Sequence, residues 1–470
     1  MNRGLKSSRL MILLAAFATS QILAGCVSVD ILYPSDSKEI EEDSQTDVSR
    51  EAEMAPPVIT INDDTSPVIV DIPEETEIEY EEIYDPVNKE YSVMTADPGK
   101  VTLAFVGDVG FAQGYATINK YRSNGSDIHN SMDEGVLGTM TSADIMMANN
   151  EFPYSDRGTP TPGKTFTFRA DPKDVHIMKD MGVDIVTLGN NHAYDYGPDA
   201  LSDTIDILND AKLPFVGAGK NIDEAMHPAY FHANGKTVSI VAATQIERLG
   251  SPDTKEATAD SPGVLRTLDP KKAVAAIEEA AANSDFTVMF VHWGTESTDL
   301  VEKSQRDLAR AYVDAGADLV IGAHSHCLQG IDYVDDVPVF YSLGNFWFNS
   351  KTLDTCIVRA TLDSDCKLES VEFIPCIQRG SCVVSATESE KARIIEYMRG
   401  ISNYAEIDDS GFVTKSDTDH NKQNGQNTSP ARKPAEAAGE EAAPAEGEQP
   451  QEVQTQQDVP DWAVDPGSVN

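Results

Sequence analysis

Between about residues 99 and 405, short apolar runs rich in β-branched residues alternate with stretches of helical spacing, and most runs are followed at once by a polar cluster. The runs are Val101-Thr102-Leu103-Ala104-Phe105-Val106, Ile145-Met146-Met147-Ala148, Ile185-Val186-Thr187-Leu188, Val238-Ser239-Ile240-Val241-Ala242, Val288-Met289-Phe290-Val291 and Leu319-Val320-Ile321. Short apolar runs bounded by turn signals read as buried strands. Helical spacing predicts helices near 172–181, 198–211, 269–283 and 303–315, the third opened by Asp269-Pro270, a cap followed by a first-turn proline. Such alternation predicts a sheet covered by helices. A hairpin-like stretch from Gly330 to Ser342 and two further strands near 355–362 and 368–375 favour a layered α/β sandwich with mixed strands over a simple doubly wound sheet. No internal repeat is present.

The flanks have a different composition. Residues 26–98 are rich in Asp, Glu, Ser, Thr and Pro, and 406–470 turn to Gln, Ala, Glu and Pro. Such segments cannot bury enough apolar surface to offset their ordering entropy. They are expected to be a disordered spacer and a disordered tail around a single domain at 99–405. At the N-terminus, Arg3, Lys6 and Arg9 precede an apolar run from Leu10 to Leu23, too short for a comfortable membrane span and patterned as a secretory signal peptide over 1–25. The run ends in Leu23-Ala24-Gly25-Cys26, which resembles the lipobox of bacterial lipoproteins. That resemblance implies a lipidated Cys26 and an extracytoplasmic protein anchored to the cell membrane, since two or more acyl chains anchor stably.

A formal charge of −42 and a pI near 4.4 argue against nucleic acid or anionic lipid as partners and favour cations. Five cysteines follow Cys26: Cys327, Cys356, Cys366, Cys376 and Cys382. Their spacing is not that of a disulfide scaffold, although an exported location permits bridges. Cys376 and Cys382 are close enough to bridge across a turn; buried free thiols are the alternative.

The polar clusters carry the chemistry. They are Gly107-Asp108-Val109-Gly110, Asn149-Asn150-Glu151, Gly189-Asn190-Asn191-His192 with Asp195-Tyr196-Gly197 behind it, His292-Trp293-Gly294 with Glu296, and Gly322-Ala323-His324-Ser325-His326. Open α/β folds place ligand sites beyond the carboxyl ends of their strands. A His-x-His there offers two imidazoles to one centre or to neighbouring metals, and imidazole with carboxylate suits zinc, iron or manganese. A lone histidine after a strand is more often structural, but here four of nine histidines fall at three strand ends beside Asp108, Glu151 and Asn191. One or two divalent ions are therefore expected.

The same clusters in the same order resemble the CapA family of capsule and poly-γ-glutamate synthesis proteins, over about 101–350. The matching motifs are Asn149-x-Glu151, Asn190-Asn191-His192-Ala193, His292-Trp293-Gly294, Gly322-x-His324-x-His326 and Tyr341-Ser342-Leu343-Gly344-Asn345-Phe346. The resemblance implies an α/β/β/α sandwich of the metallophosphoesterase type. It gives Asp108 the place of the first metal carboxylate and Glu151 that of the bridging carboxylate. Asn191, His292, His324 and His326 take the places of the remaining ligands. His192, with Asp195 behind it, takes the place of the general acid. It also implies membrane-embedded synthesis or export proteins, and an anionic polymer, as partners.

One departure bears on the chemistry. Metallophosphoesterases usually read Asp-x-His after the first strand; here the third residue is Gly110, and the bridging aspartate has become Glu151. Loss of one imidazole is expected to weaken one metal, change its identity or leave a mononuclear centre. Arg169 can pair bidentately with a phosphate or carboxylate, or form a structural ion pair. Trp293 and Tyr196 read as packing near the site, with stacking on substrate as the alternative; Asn345 reads as a turn residue, with contact to ligand as the alternative, and Cys327 as a core thiol. Two functional readings stand: a metal-dependent hydrolase directed at a phosphoester or a γ-glutamyl polymer, and a non-catalytic polymer-binding member of a synthesis and export assembly.

Overall fold

A computed structural model describes residues 83–246 and 254–417. The expected signal peptide, Cys26 and most of the spacer and tail lie outside the described residues. Val101–Val109 is a nine-residue strand with Leu103 and Phe105 on one face and Ala104 and Val106 on the other. That is the two-residue period of a strand covered on both sides. Ile145–Asn150, Ile185–Thr187 and Phe215–Val216 extend its sheet in parallel. Leu353–Leu362 and Leu368–Arg379 extend it antiparallel on the other side. The second sheet has Lys236–Thr244, Phe286–His292, Leu319–Ala323 and Val337–Leu343 in parallel, with Ala229–Ala233 antiparallel to Lys236–Thr244 and Leu328–Val334 antiparallel to Val337–Leu343.

The two sheets pack face to face. Leu103, Phe105 and Met147 of the first meet Ile240, Phe290 and Ile321 of the second in one buried cluster. Each such side chain contributes about 1.5–3 kcal/mol through burial. On the outer face of the first sheet, Val106 and Met146 are covered by helices Ala116–Ser123, Glu134–Thr141 and Gly197–Asp210, through Ile118, Met140 and Leu201. On the outer face of the second, Met289 and Val320 are covered by Lys271–Ala282 and Lys303–Asp314, through Ile277 and Leu308. The layers run helix, sheet, sheet, helix, as the resemblance implies.

Three expectations need correction. Folded structure begins before residue 99, because Tyr84–Asp85 and Glu90–Ser92 add to the edge of the second sheet. It also continues past 405: Ala405–Ile407 pairs with Val413–Lys415. Of the two alternatives for Cys376 and Cys382, the structure has the free thiols, and all five described cysteines are free. Cys327, expected in the core, is half-buried. Among the described residues no helix is long and apolar enough to cross a membrane.

Candidate metal centre

The carboxyl ends of the parallel strands from both sheets meet at one place. The Val101 strand reaches it through a register irregularity between Val106 and Asp108, a device that re-aims a side chain. Gly107 makes this possible: a Cβ there would lie 2.0 Å from the Gly344 carbonyl oxygen, which accepts a 3.0 Å bond from the Asp108 amide. Gly322 is closed in the same way, with the Tyr341 carbonyl at 2.1 Å from such a Cβ. Beyond it His324 and His326 both adopt left-handed backbone, at φ 96° and 56°. Strain of that kind in non-glycine residues gathers at functional sites.

The side chains form two donor groups that share Glu151. One comprises Glu151, His292 and His324, the other Asp108, Glu151 and His326. The His-x-His pair therefore serves neighbouring positions rather than one. In the first group His292 Nε2 lies 2.9 Å from Asn191 Oδ1 and 3.0 Å from His324 Nδ1. In the second, His326 Nδ1 lies 3.1 Å from Asp108 Oδ2 and 2.8 Å from Asn345 Oδ1. Asn149 sits between them: its Nδ2 donates to Asp108 Oδ1 at 2.8 Å and lies 3.4 Å from Glu151 Oε2. Asn190 holds Asn149 in turn, donating to Asn149 Oδ1 and to the Asn150 carbonyl at 2.9 Å each.

These residues suit a divalent cation. Glu151 is fully buried, and its Oε1 has no hydrogen-bond partner although His292 Nε2 and His192 Nε2 stand 3.7 and 3.8 Å away. An unpaired buried carboxylate oxygen is costly. Burial, and then the charge of Asp108, hold the Glu151 carboxyl well above the usual carboxylate range. Burial and the other imidazoles push His292 well down, so its ring is neutral, as a ligand must be.

His192 belongs to the same place but not to either donor group. Its Nδ1 donates to Asp195 Oδ2 at 2.7 Å, while Nε2 faces Glu151. Burial and the charge of Lys164 hold His192 well below the usual histidine range. Asp195 is fixed on every side: Lys164 Nζ donates to Oδ1 at 2.6 Å and the Phe168 amide to Oδ2 at 2.7 Å. Burial pushes its pKa up to about 7 even so. Lys164 also donates to the Asn191 carbonyl at 2.6 Å, tying the acid pair to the ligand loop. Sequence reasoning missed Lys164, which follows Pro160-Thr161-Pro162-Gly163 with no periodicity to mark it.

The remaining candidates resolve as follows. Arg169 lays its guanidinium 4.2 Å over the Tyr196 ring and donates to the Arg157 carbonyl, and it belongs to neither donor group. Trp293 is core: its indole N–H donates to the Tyr341 carbonyl at 2.7 Å and its ring stacks on Tyr312. Cys327 joins neither group. Phe168 and Phe348 cover the site, the first 4.2 Å from the His192 ring and the second 5.0 Å from the His326 ring. Beside them opens a cleft lined by Glu296, His326, Asn345, Asn349 and Lys351.

The family described as bacterial capsule synthesis protein PGA_cap matches residues 102–350, a span that contains every donor above. The chain is similar to the PGA biosynthesis protein CapA of Bacillus subtilis (strain 168), 30% identical over 272 residues, covering 57% of this chain and 69% of that protein. It is similar to the capsule biosynthesis protein CapA of Bacillus anthracis, 31% identical over 307 residues, covering 63% and 72%. A probable polyglutamine synthesis accessory protein of Mycobacterium tuberculosis is 28% identical over 211 residues, covering 44% of this chain and 56% of that one. More than half of this chain falls within the family match, and the two Bacillus relatives are spanned over more than two thirds of their length. The chain therefore belongs to the family of bacterial capsule synthesis proteins.

Proposed function

We propose that this protein acts in the synthesis or export of a capsular or poly-γ-glutamate-type polymer, outside the cytoplasm and anchored through a lipidated Cys26, with a metal-dependent hydrolytic site. The shared, buried and half-unpartnered Glu151 carries the reading. Asp108, Glu151 and His326 would hold one ion, and Glu151, Asn191, His292 and His324 the other. Bound there, a divalent ion supplies Lewis-acid polarisation of a substrate oxygen and lowers the pKa of water. His192 takes up and delivers a proton at Nε2, while its Nδ1–H bond to Asp195 fixes the ring and offsets the imidazolium charge. Phe168 and Phe348 exclude water from one side. Lys351, exposed at the mouth of the cleft, offers a cation to an anionic chain.

The test is metal content of the purified protein together with hydrolysis of generic phosphodiester and γ-glutamyl substrates. Turnover should fall about 10²–10⁴-fold in His192→Ala, the usual share of a general acid, with the metal retained; Asp108→Ala should lose metal as well. Metal without turnover on any of these substrates would defeat the hydrolytic part. That outcome would favour a second reading, a metal-dependent polymer-binding component, which the absence of a side chain at Gly110 supports.

A further inference from the structure

The two donor groups are unequal. Glu151, Asn191, His292 and His324 converge as four side chains; Asp108, Glu151 and His326 are three. Three protein donors leave at least one coordination position open to a further ligand, which water or another side chain can take. Gly110, next along the strand, cannot be the missing one, because a Cβ there would meet the Phe348 ring at 2.7 Å. Asn345 stands closer. It pairs in register with Asp108, is 2% exposed, and sits at a register irregularity of its own short strand, Asn345–Trp347. Its Oδ1 is 2.8 Å from His326 Nδ1, which is 3.1 Å from Asp108 Oδ2. Two donors about 2.1 Å from one ion and about a right angle apart are about 3 Å from each other. The three atoms have the spacing of ligands on a common centre.

We propose that Asn345 Oδ1 is the additional protein ligand of the Asp108 position, and that the centre is chemically asymmetric as a result. This rests on the metal-centre reading above. The Asp108 position then offers three oxygens and one imidazole; the His292 position offers two imidazoles and two oxygens. Oxygen-rich sites favour harder ions such as manganese, and imidazole suits zinc and iron. One ion of each kind is the expected load when manganese and zinc are supplied together.

The experiment equilibrates full-length protein with both metals, removes the excess, and measures content by elemental analysis, with manganese spin resonance as a second readout. Wild type should hold one manganese and one zinc. Asn345→Ala should keep zinc and bind manganese at least tenfold more weakly, while His292→Ala should lose zinc first. Asn345→Asp should keep both ions, bind manganese more tightly and change its spin-resonance line shape, since a coordinated amide oxygen becomes a carboxylate. An unchanged line shape in Asn345→Asp, or manganese affinity within threefold of wild type in Asn345→Ala, would overturn ligation by Asn345 and leave the two-ion reading intact. Two zinc ions in wild type would overturn the asymmetry. A wild-type protein that holds no ion would remove both this inference and the reading beneath it.

Discussion

The two sheets contribute different chemistry to the same point. From the sheet built on Val101–Val109 come the carboxylates and amides: Asp108, Glu151, Asn191 and, on the neighbouring short strand, Asn345. From the sheet built on Phe286–His292 come imidazoles: His292, His324 and His326. Neither half is a site. A donor set divided in this way exists only when the inter-sheet core around Phe105 and Phe290 is packed, so ion binding at the proposed centre would be linked to the docking of the sheets. His192 is the exception, an imidazole on the carboxylate side that stands outside both donor groups, with Asp195 on its Nδ1 and Nε2 turned toward Glu151.

The largest test removes the residue that joins the halves. Glu151→Gln should lower the content of both ions and reduce turnover on the order of 10⁴-fold, since several kcal/mol of charge stabilisation go with the metals. It should also abolish stabilisation by added metal, which at a hundredfold excess over Kd is about 2.7 kcal/mol per ion in the parent. Elemental analysis and melting curves with and without chelator measure both; a variant that still gains stability from metal would break the claim that the halves are coupled through this carboxylate.

Next comes the exception itself. Lys164 and Asp195 are 8% and 0% exposed at their side chains, and removing one partner of a buried pair costs about 3–5 kcal/mol. Lys164→Met should lose that much in urea unfolding. A loss below about 1 kcal/mol would mean that His192 is held by packing rather than by its acid pair.

The histidine-bearing sheet has a pH response of its own, far from the centre. Lys89 precedes the edge strand Glu90–Ser92, is 1% exposed, and donates to the Glu224 carbonyl at 2.9 Å. Burial lowers its pKa to about 8. A base with a depressed folded-state pKa contributes stability above its unfolded pKa of about 10.4, and that contribution is lost as pH falls through about 8. Stability should therefore climb between pH 8 and 10 by up to about 3 kcal/mol more in the parent than in Lys89→Met. Identical pH profiles would show that the ammonium is compensated by its carbonyl partners.

The smallest effect lies on Glu388–Ile401, where Thr387 and Glu390 form a capping box. Thr387→Ala should cost about 1 kcal/mol and leave metal content untouched, a control that separates loss of stability from loss of either half.

Much of this was readable in the chain because both halves obey one rule: each donor follows a strand whose apolar run is unmistakable. The strands at 101, 145, 185, 238, 288 and 319 and four helices lie where their periodicity puts them. What escaped had weaker or longer-range causes. Glu90-Tyr91-Ser92 has one buried side chain, and it joins the sheet because Tyr91 packs on Tyr84 and on Phe231, the second 140 residues away, a separation that no local pattern records. Lys164 is fixed by partners on a different loop. Asn345 was legible as a turn residue, but its proximity to Asp108 depends on two register irregularities. The residue that replaces a histidine at 110 was visible; the phenylalanine that closes that space, 238 positions later, was not.

The left-handed turn at His324 and His326 has a price in fitness terms. A left-handed backbone costs a residue with a Cβ roughly 1–2 kcal/mol, and glycine would relieve it at both positions. A chain selected only for endurance would drift toward glycine there, gaining stability while erasing the imidazoles. Their presence at φ 96° and 56° is what selection for the proposed metal centre over stability would leave, and variants chosen by heat alone should be the ones that first lose bound metal.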